Sequence, residues 1–223
     1  MTFPFVFAFR ADLQAKAGGN PSWNTGVNYF SDMAKSVDVN EVKALYQAAG
    51  LSLGHDVQTL NSSPRINSNP NATAWLIRNI SFNGDIGVPV LTMHTTGDGL
   101  VVPENEQAYR SAVDRAGNGD LLRQVFVNRA GHCAFTPAET ITAVQTLENR
   151  MSTGQWNVPS PAGMNAEAAA LGAGYNIFSA GSTVVPTAPA FIGYTPAKNL
   201  RPFDLFSRTG SQPPFPVPVG HAN

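Results

Sequence analysis

Val88-Pro89-Val90-Leu91-Thr92-Met93-His94 is a short apolar run bounded by turn residues, and Thr95-Thr96-Gly97-Asp98-Gly99-Leu100-Val101-Val102-Pro103 follows it directly. A run of this length and texture reads as a buried parallel strand, because a strand covered on both faces does not alternate apolar with polar. Pro89 fits only as an early position of that strand, since it cannot donate to a ladder. Pro103 then suits the first turn of a helix reaching about Ala116, with Ala108, Ala112, Val113 and Ala116 facing inward and Gly117 closing it. Leu121-Leu122-Arg123-Gln124-Val125-Phe126-Val127 reads as a second strand. Thr136, Pro137 and Glu139 stand as N-cap, N1 and N3 of a capping box that opens a last helix. Ile141, Val144, Leu147 and Met151 form its expected buried stripe. Strand, helix, strand and helix with short joints predict an α/β fold with a parallel sheet over residues 86–151.

The flanking zones differ in texture. Residues 10–85 read as helices and loops with no core strand. Val42, Leu45, Tyr46 and Ala49 make a helical stripe that Gly50 stops, and residues 71–80 offer a second short helix after the punctuating Pro64 and Pro70. Residues 152–223 hold 10 of the 17 prolines and only five charged residues, Glu167, Lys198, Arg201, Asp204 and Arg208. Long helices are excluded there. Phe178, Phe191, Ile192, Tyr194, Phe203, Leu205 and Phe206 are too apolar for a free linker, so an extended tail packed on the domain is expected, loose from Gln212 onward.

Composition narrows the function. The 14 basic and 15 acidic residues nearly cancel, which argues against a nucleic-acid partner and its basic stripe. Hydrophobic residues at 43% suffice for a core, and no apolar run approaches the ~20 residues of a membrane span. One cysteine, Cys133, excludes an internal disulfide or a multi-cysteine zinc site. The apolar opening, residues 1–10, lacks the basic first region of a secretory signal.

Two loops carry candidate chemistry, and each follows a predicted strand. The first holds Asp98; the second, Arg129-Ala130-Gly131-His132-Cys133-Ala134-Phe135, holds His132. Parallel neighbouring strands would deliver both loops to one carboxyl edge, where open α/β sheets place their sites. Asp98 and His132 lie 34 residues apart, enough for one helix and one strand between them. A buried aspartate accepting from a histidine ring N–H fixes the tautomer and stabilises the imidazolium formed when the ring takes a proton.

These two segments resemble the acid and histidine segments of the α/β-hydrolase-fold serine hydrolases, the superfamily of esterases, lipases and peptidases. The resemblance covers roughly residues 10–151 and implies a partial α/β-hydrolase fold. It makes Asp98 the acid and His132 the base of a Ser-His-Asp triad acting on a small-molecule ester or amide, with no metal or organic cofactor. It also implies that residues 1–85, which include Ala17-Gly18-Gly19-Asn20-Pro21-Ser22-Trp23-Asn24-Thr25-Gly26, are a helical cap, and that 86–151 are the C-terminal part of the core. Leu200-Arg201-Pro202-Phe203-Asp204 resembles the C-terminal extension of one branch. The likeness and the low charge point to export of the parent enzyme; this chain itself carries no address.

The nucleophile is the missing member. Gly50-Leu51-Ser52-Leu53-Gly54 matches the G-x-S-x-G string, but a nucleophile elbow needs a buried strand before it and a helix after it. An amphipathic helix precedes Ser52, which lies only 46 positions before Asp98. Ser52 therefore reads as a helix-end turn. The expectation is a C-terminal portion of a hydrolase, inactive alone, whose serine lies outside this chain and whose partner is the missing N-terminal part. The alternative is a non-catalytic remnant or binding module of the same fold.

Other residues read as structural. His94 and Asp98 lie on a strand and a loop, which disfavours a shared metal. Cys133 reads as a small buried residue, because neighbours in an extended turn point apart. Glu104 and Glu106 read as first-turn charges favoured by the helix dipole. Trp23 and Trp75 read as core packing ahead of a substrate pocket.

Overall fold

The structure is a computed structural model and describes residues 3–200. Arg201, Phe203, Asp204, Leu205, Phe206 and Arg208, and the stretch from Gln212 that was expected to be loose, lie outside the described residues. The chain divides into two compact units, one of residues 1–81 with 200–223 and one of residues 82–199.

The first unit is helical: α1 (Phe3–Ala17), α2 (Tyr29–Lys35), α3 (Val39–Ala48), α4 (Leu53–Ser62) and α5 (Pro70–Asn79). Its short polar residues set the helix starts. Asn28 accepts from the N–H groups of Phe30 and Ser31, and Asn69 from those of Asn71 and Ala72, each satisfying donors that the first turn leaves orphaned. Pro70 does not punctuate a loop but opens α5 at its first position. The expected stripe on α3 is not buried. Leu45 is exposed, and no residue of the helix is buried. Burial falls instead on Ala17 of α1, Val57 of α4, and Ala72, Ala74 and Ile77 of α5, and α1 packs on α5.

The second unit holds the sheet. β1 (Val90–Gly97) and β2 (Leu122–Ala130) pair in parallel, with α6 (Glu104–Arg115) between them, as the alternation of elements predicts. α7 (Pro137–Thr153), α8 (Pro161–Ala170), a hairpin of β3 (Ile177–Ala180) and β4 (Thr183–Pro186), and β5 (Phe191–Ile192) follow. Thus 152–200 is not merely an extended tail. Pro161 starts a ten-residue helix at N1, where its missing N–H costs nothing, and β5 joins β2 antiparallel as the third strand. The sheet order is β1-β2-β5, so the class is α/β with a small mixed sheet rather than a purely parallel one.

Alternation along the strands sorts the side chains. Thr92 and its register partner Gln124 both reach Glu106 of α6: Thr92 Oγ1 donates to Glu106 Oε2 at 2.6 Å, and Gln124 Nε2 donates to the same oxygen. Glu106 is therefore a tether between helix and sheet, more than the dipole charge its position implied. On the opposite face Val125 and Val127 meet Ala138 of α7, Met164 and Ala168 of α8, and Phe191 of β5. Half of that core comes from the proline-rich zone. Trp156 fixes the start of the zone: its Nε1–H donates to the Asp120 carbonyl, and the guanidinium groups of Arg123 and Arg150 lie over its ring.

The apolar stripe expected on α7 is displaced. Val144 and Met151 are exposed, and the buried face is Ala138, Glu139, Thr142, Ala143 and Thr146. Glu139 explains the rotation. It closes the expected capping box, with Thr136 N–H donating to Glu139 Oε2 at 2.8 Å and Glu139 N–H donating to Thr136 Oγ1 at 3.1 Å. The same carboxylate takes a fork from Arg129, 2.7 Å and 3.0 Å, and accepts the Ala190 N–H at 2.9 Å. It is fully buried. Removing one member of such a pair strands the other charge in the interior, so Glu139→Ala should lower unfolding free energy by about 3–5 kcal/mol, read as a urea midpoint shift.

Candidate functional site

The loops after β1 and β2 emerge at the same edge, because the strands are parallel and adjacent. The register shifts between Thr95 and Gly97, where the two strands end in close approach. A Cβ on Gly97 would stand 3.1 Å from Ala130 Cα, so a side chain there would require the facing backbone to give by a few tenths of an ångström, which glycine avoids. The Gly131 N–H then donates to the Gly97 carbonyl at 3.0 Å, and Thr95 Oγ1 donates to the Gly131 carbonyl at 2.6 Å. Gly131 itself has φ +106, a conformation that side chains disfavour. These contacts stitch one loop to the other before any charged group is considered.

Asp98 is buried and its carboxylate is almost fully engaged. Oδ1 accepts the N–H groups of Leu100 and Val101, both at 2.9 Å, in a turn closed by the aspartate's own side chain. Oδ2 accepts from His132 Nδ1 at 2.8 Å. The Asp98 side chain is 4% exposed and that of His132 43%, so the acid is shielded while the imidazole faces solvent. Burial by itself would raise the Asp98 carboxyl, but the Val101 N–H, the His132 ring, the Leu100 N–H and the His132 charge together outweigh it and hold the group below the usual aspartate range. With Nδ1–H committed to the carboxylate, the neutral ring presents its lone pair at Nε2. A base held this way can draw a proton from a hydroxyl, and the buried anion stabilises the resulting charge.

The loop around His132 is braced from behind. Arg129 Nη1 donates to the Ala134 carbonyl at 2.7 Å while the same guanidinium grips Glu139, so the turn is anchored on both sides of the histidine. Nothing in the one-dimensional pattern pairs Arg129 with Glu139; only the capping-box letter at Glu139 hints at its burial.

Cys133 departs from its sequence reading. It is exposed, and its Sγ lies 3.4 Å from His132 Nε2. The rule that neighbours point apart assumes extended backbone, whereas Cys133 has φ +52, which folds its side chain back over the preceding ring. His94 is buried in β1, with Nδ1 2.8 Å from the Thr95 carbonyl. Ser52 belongs to the helical unit and is the N-cap of α4, its Oγ accepting the His55 N–H at 3.3 Å. A cavity of about 220 Å³ between β2, β5 and α8 is lined by Val158, Met164, Phe191 and Tyr194 among others, and includes neither Asp98 nor His132. Among the described residues no cluster of three or more His, Cys, Asp or Glu side chains is placed to hold a metal ion, and no helix is long and apolar enough to cross a membrane.

Comparison with known proteins adds one finding. The chain is 36% identical over 163 residues to o-phthalyl amidase from Xanthobacter agilis, an alignment covering 72% of this chain and 36% of that protein. It thus spans little more than a third of its relative's length. No protein-family model matches the chain, and no solved structure matches it.

The depressed Asp98 carboxyl links the site to stability. Its contribution is complete above the ordinary aspartate value of 3.8 and is lost as pH falls through the lower folded value. Unfolding midpoints measured from about pH 6 down to about pH 2 should therefore decline less steeply in Asp98→Asn than in the parent chain.

Proposed function

We propose that this chain is the acid-and-base portion of a serine hydrolase that cleaves amide bonds, and esters by the same route, in small molecules. The observation that carries the reading is the 2.8 Å contact between His132 Nδ1 and the buried Asp98 carboxylate at the edge where the two loops meet. An amidase relative of nearly three times the aligned length supports both the reaction class and a nucleophile supplied by further polypeptide. Among the described residues no serine hydroxyl bonds His132 Nε2, and Ser52 Oγ is occupied in capping α4.

In this mechanism a serine hydroxyl approaches His132 Nε2 and gives up its proton as its oxygen attacks the carbonyl carbon. The imidazolium so formed keeps its Nδ1–H on Asp98, whose charge offsets it. His132 next donates the proton from Nε2 to the leaving amine nitrogen, the C–N bond breaks, and an acyl-serine remains. Water repeats the sequence, giving its proton to His132 and releasing the carboxylic acid. The name of the relative favours an aromatic acyl group as the substrate's acid half.

The test compares the 223-residue chain with the same chain preceded by its upstream reading frame, using a fluorophosphonate probe and an aromatic amide. The longer polypeptide should label on one serine and turn over, and the shorter should do neither. In the longer form Asp98→Asn should lower kcat by about 10³–10⁴-fold with little change in KM. Labelling of Ser52, or inertness of the longer polypeptide, overturns the proposal, the latter in favour of a non-catalytic module.

A further inference from the structure

Cys133 has no role in the reaction just described, yet its sulfur stands on the working nitrogen of the base. Sγ is 3.4 Å from His132 Nε2, the opposite ring nitrogen is held by Asp98 at 2.8 Å, and the thiol is exposed. Thiol, imidazole and buried carboxylate thus lie in series, the arrangement that activates a nucleophile wherever a base is oriented by a third group. An ordinary surface cysteine has no such partner, and its thiol must lose its proton to water.

We infer that Cys133 is an activated thiol and a site of covalent modification by soft electrophiles and peroxides, with His132 as its proton acceptor. With iodoacetamide the sulfur attacks the methylene carbon, the C–I bond breaks, iodide leaves, and the thiol proton passes to Nε2 and on to solvent. With hydrogen peroxide the sulfur attacks one oxygen and the O–O bond breaks. Cysteine is then oxidised to the sulfenic acid while the peroxide is reduced to water. Either product places new atoms beside Nε2, in the space an incoming hydroxyl must occupy, so modification would close the base. Among the described residues the charged groups around this loop are Asp98 across the ring and the Arg129–Glu139 pair behind it, and of these Asp98 bonds the imidazole.

Because Cys133 is the sole cysteine, alkylation of the whole chain reports this site alone. The experiment follows iodoacetamide addition by intact mass at about pH 7, in the parent chain, His132→Gln and Asp98→Asn, with far-UV circular dichroism to verify folding. The parent should react at least about tenfold faster than His132→Gln, with Asp98→Asn intermediate, and the pH profile of the parent should carry an imidazole step that His132→Gln lacks. Equal rates in folded parent and His132→Gln would overturn the inference. Should His132→Gln not fold, the parent is compared with a synthetic peptide of residues 128–138; matching rates and profiles overturn it as well. No hydrolytic turnover enters the measurement, so the outcome stands apart from the proposed amidase chemistry.

Discussion

The geometry of the histidine loop depends on a carboxylate that takes no part in the candidate chemistry. Glu139, fully buried, gathers the Thr136 N–H, both arms of the Arg129 guanidinium and the Ala190 N–H on its two oxygens. One side chain therefore joins the end of β2, the start of α7 and the approach to β5. Burying a charge is expensive unless every lone pair is satisfied, and here four donors converge on one anion. The bidentate fork is specific to arginine; a lysine in place of Arg129 could not span both oxygens.

Two buried acids divide the labour at this edge. Glu139 fixes the backbone around His132, and Asp98 fixes the ring. Their surroundings differ accordingly: Glu139 is bound by a permanent cation, whereas Asp98 is bound by two backbone N–H groups and an imidazole that can gain or lose a proton. Only the second arrangement leaves a titratable group able to respond to a ligand, since arginine stays charged throughout the accessible pH range. Solvent access follows the same division, with the imidazole open and both carboxylates shielded.

How far the sequence reveals this depends on which physics is local. The capping box at Thr136 and Glu139, the parallel strands, and the convergence of Asp98 and His132 all follow from short-range patterns and from the length of one crossover. The buried face of α7 does not, because threonines and alanines fill it while Val144 and Met151 stay outside, and because Glu139 is buried by a partner ten residues earlier. The proline-rich zone is legible as a breaker of long helices. Its part in the core is not, since Met164 and Phe191 meet β2 only after the chain has turned back. Cys133 misleads for a different reason: a single positive φ reverses the neighbour rule, and nothing in the letters announces it. Ser52 shows the opposite case, where the surrounding pattern outweighs a matching string.

The two-residue strand β5 has a consequence for how this sheet can grow. On one side it pairs with β2; on the other, Phe191 gives its N–H to Asn165 Oδ1 at 2.7 Å and receives the Asn165 Nδ2–H on its carbonyl at 2.9 Å. A side-chain amide thus imitates the peptide group of a would-be neighbour and terminates the ladder there. β1, at the far flank, pairs only with β2 among the described residues. The sheet is uneven at its two margins: the amide of Asn165 closes the short outer edge at Phe191, whereas the longer edge of Val90–Gly97 is covered by no described strand.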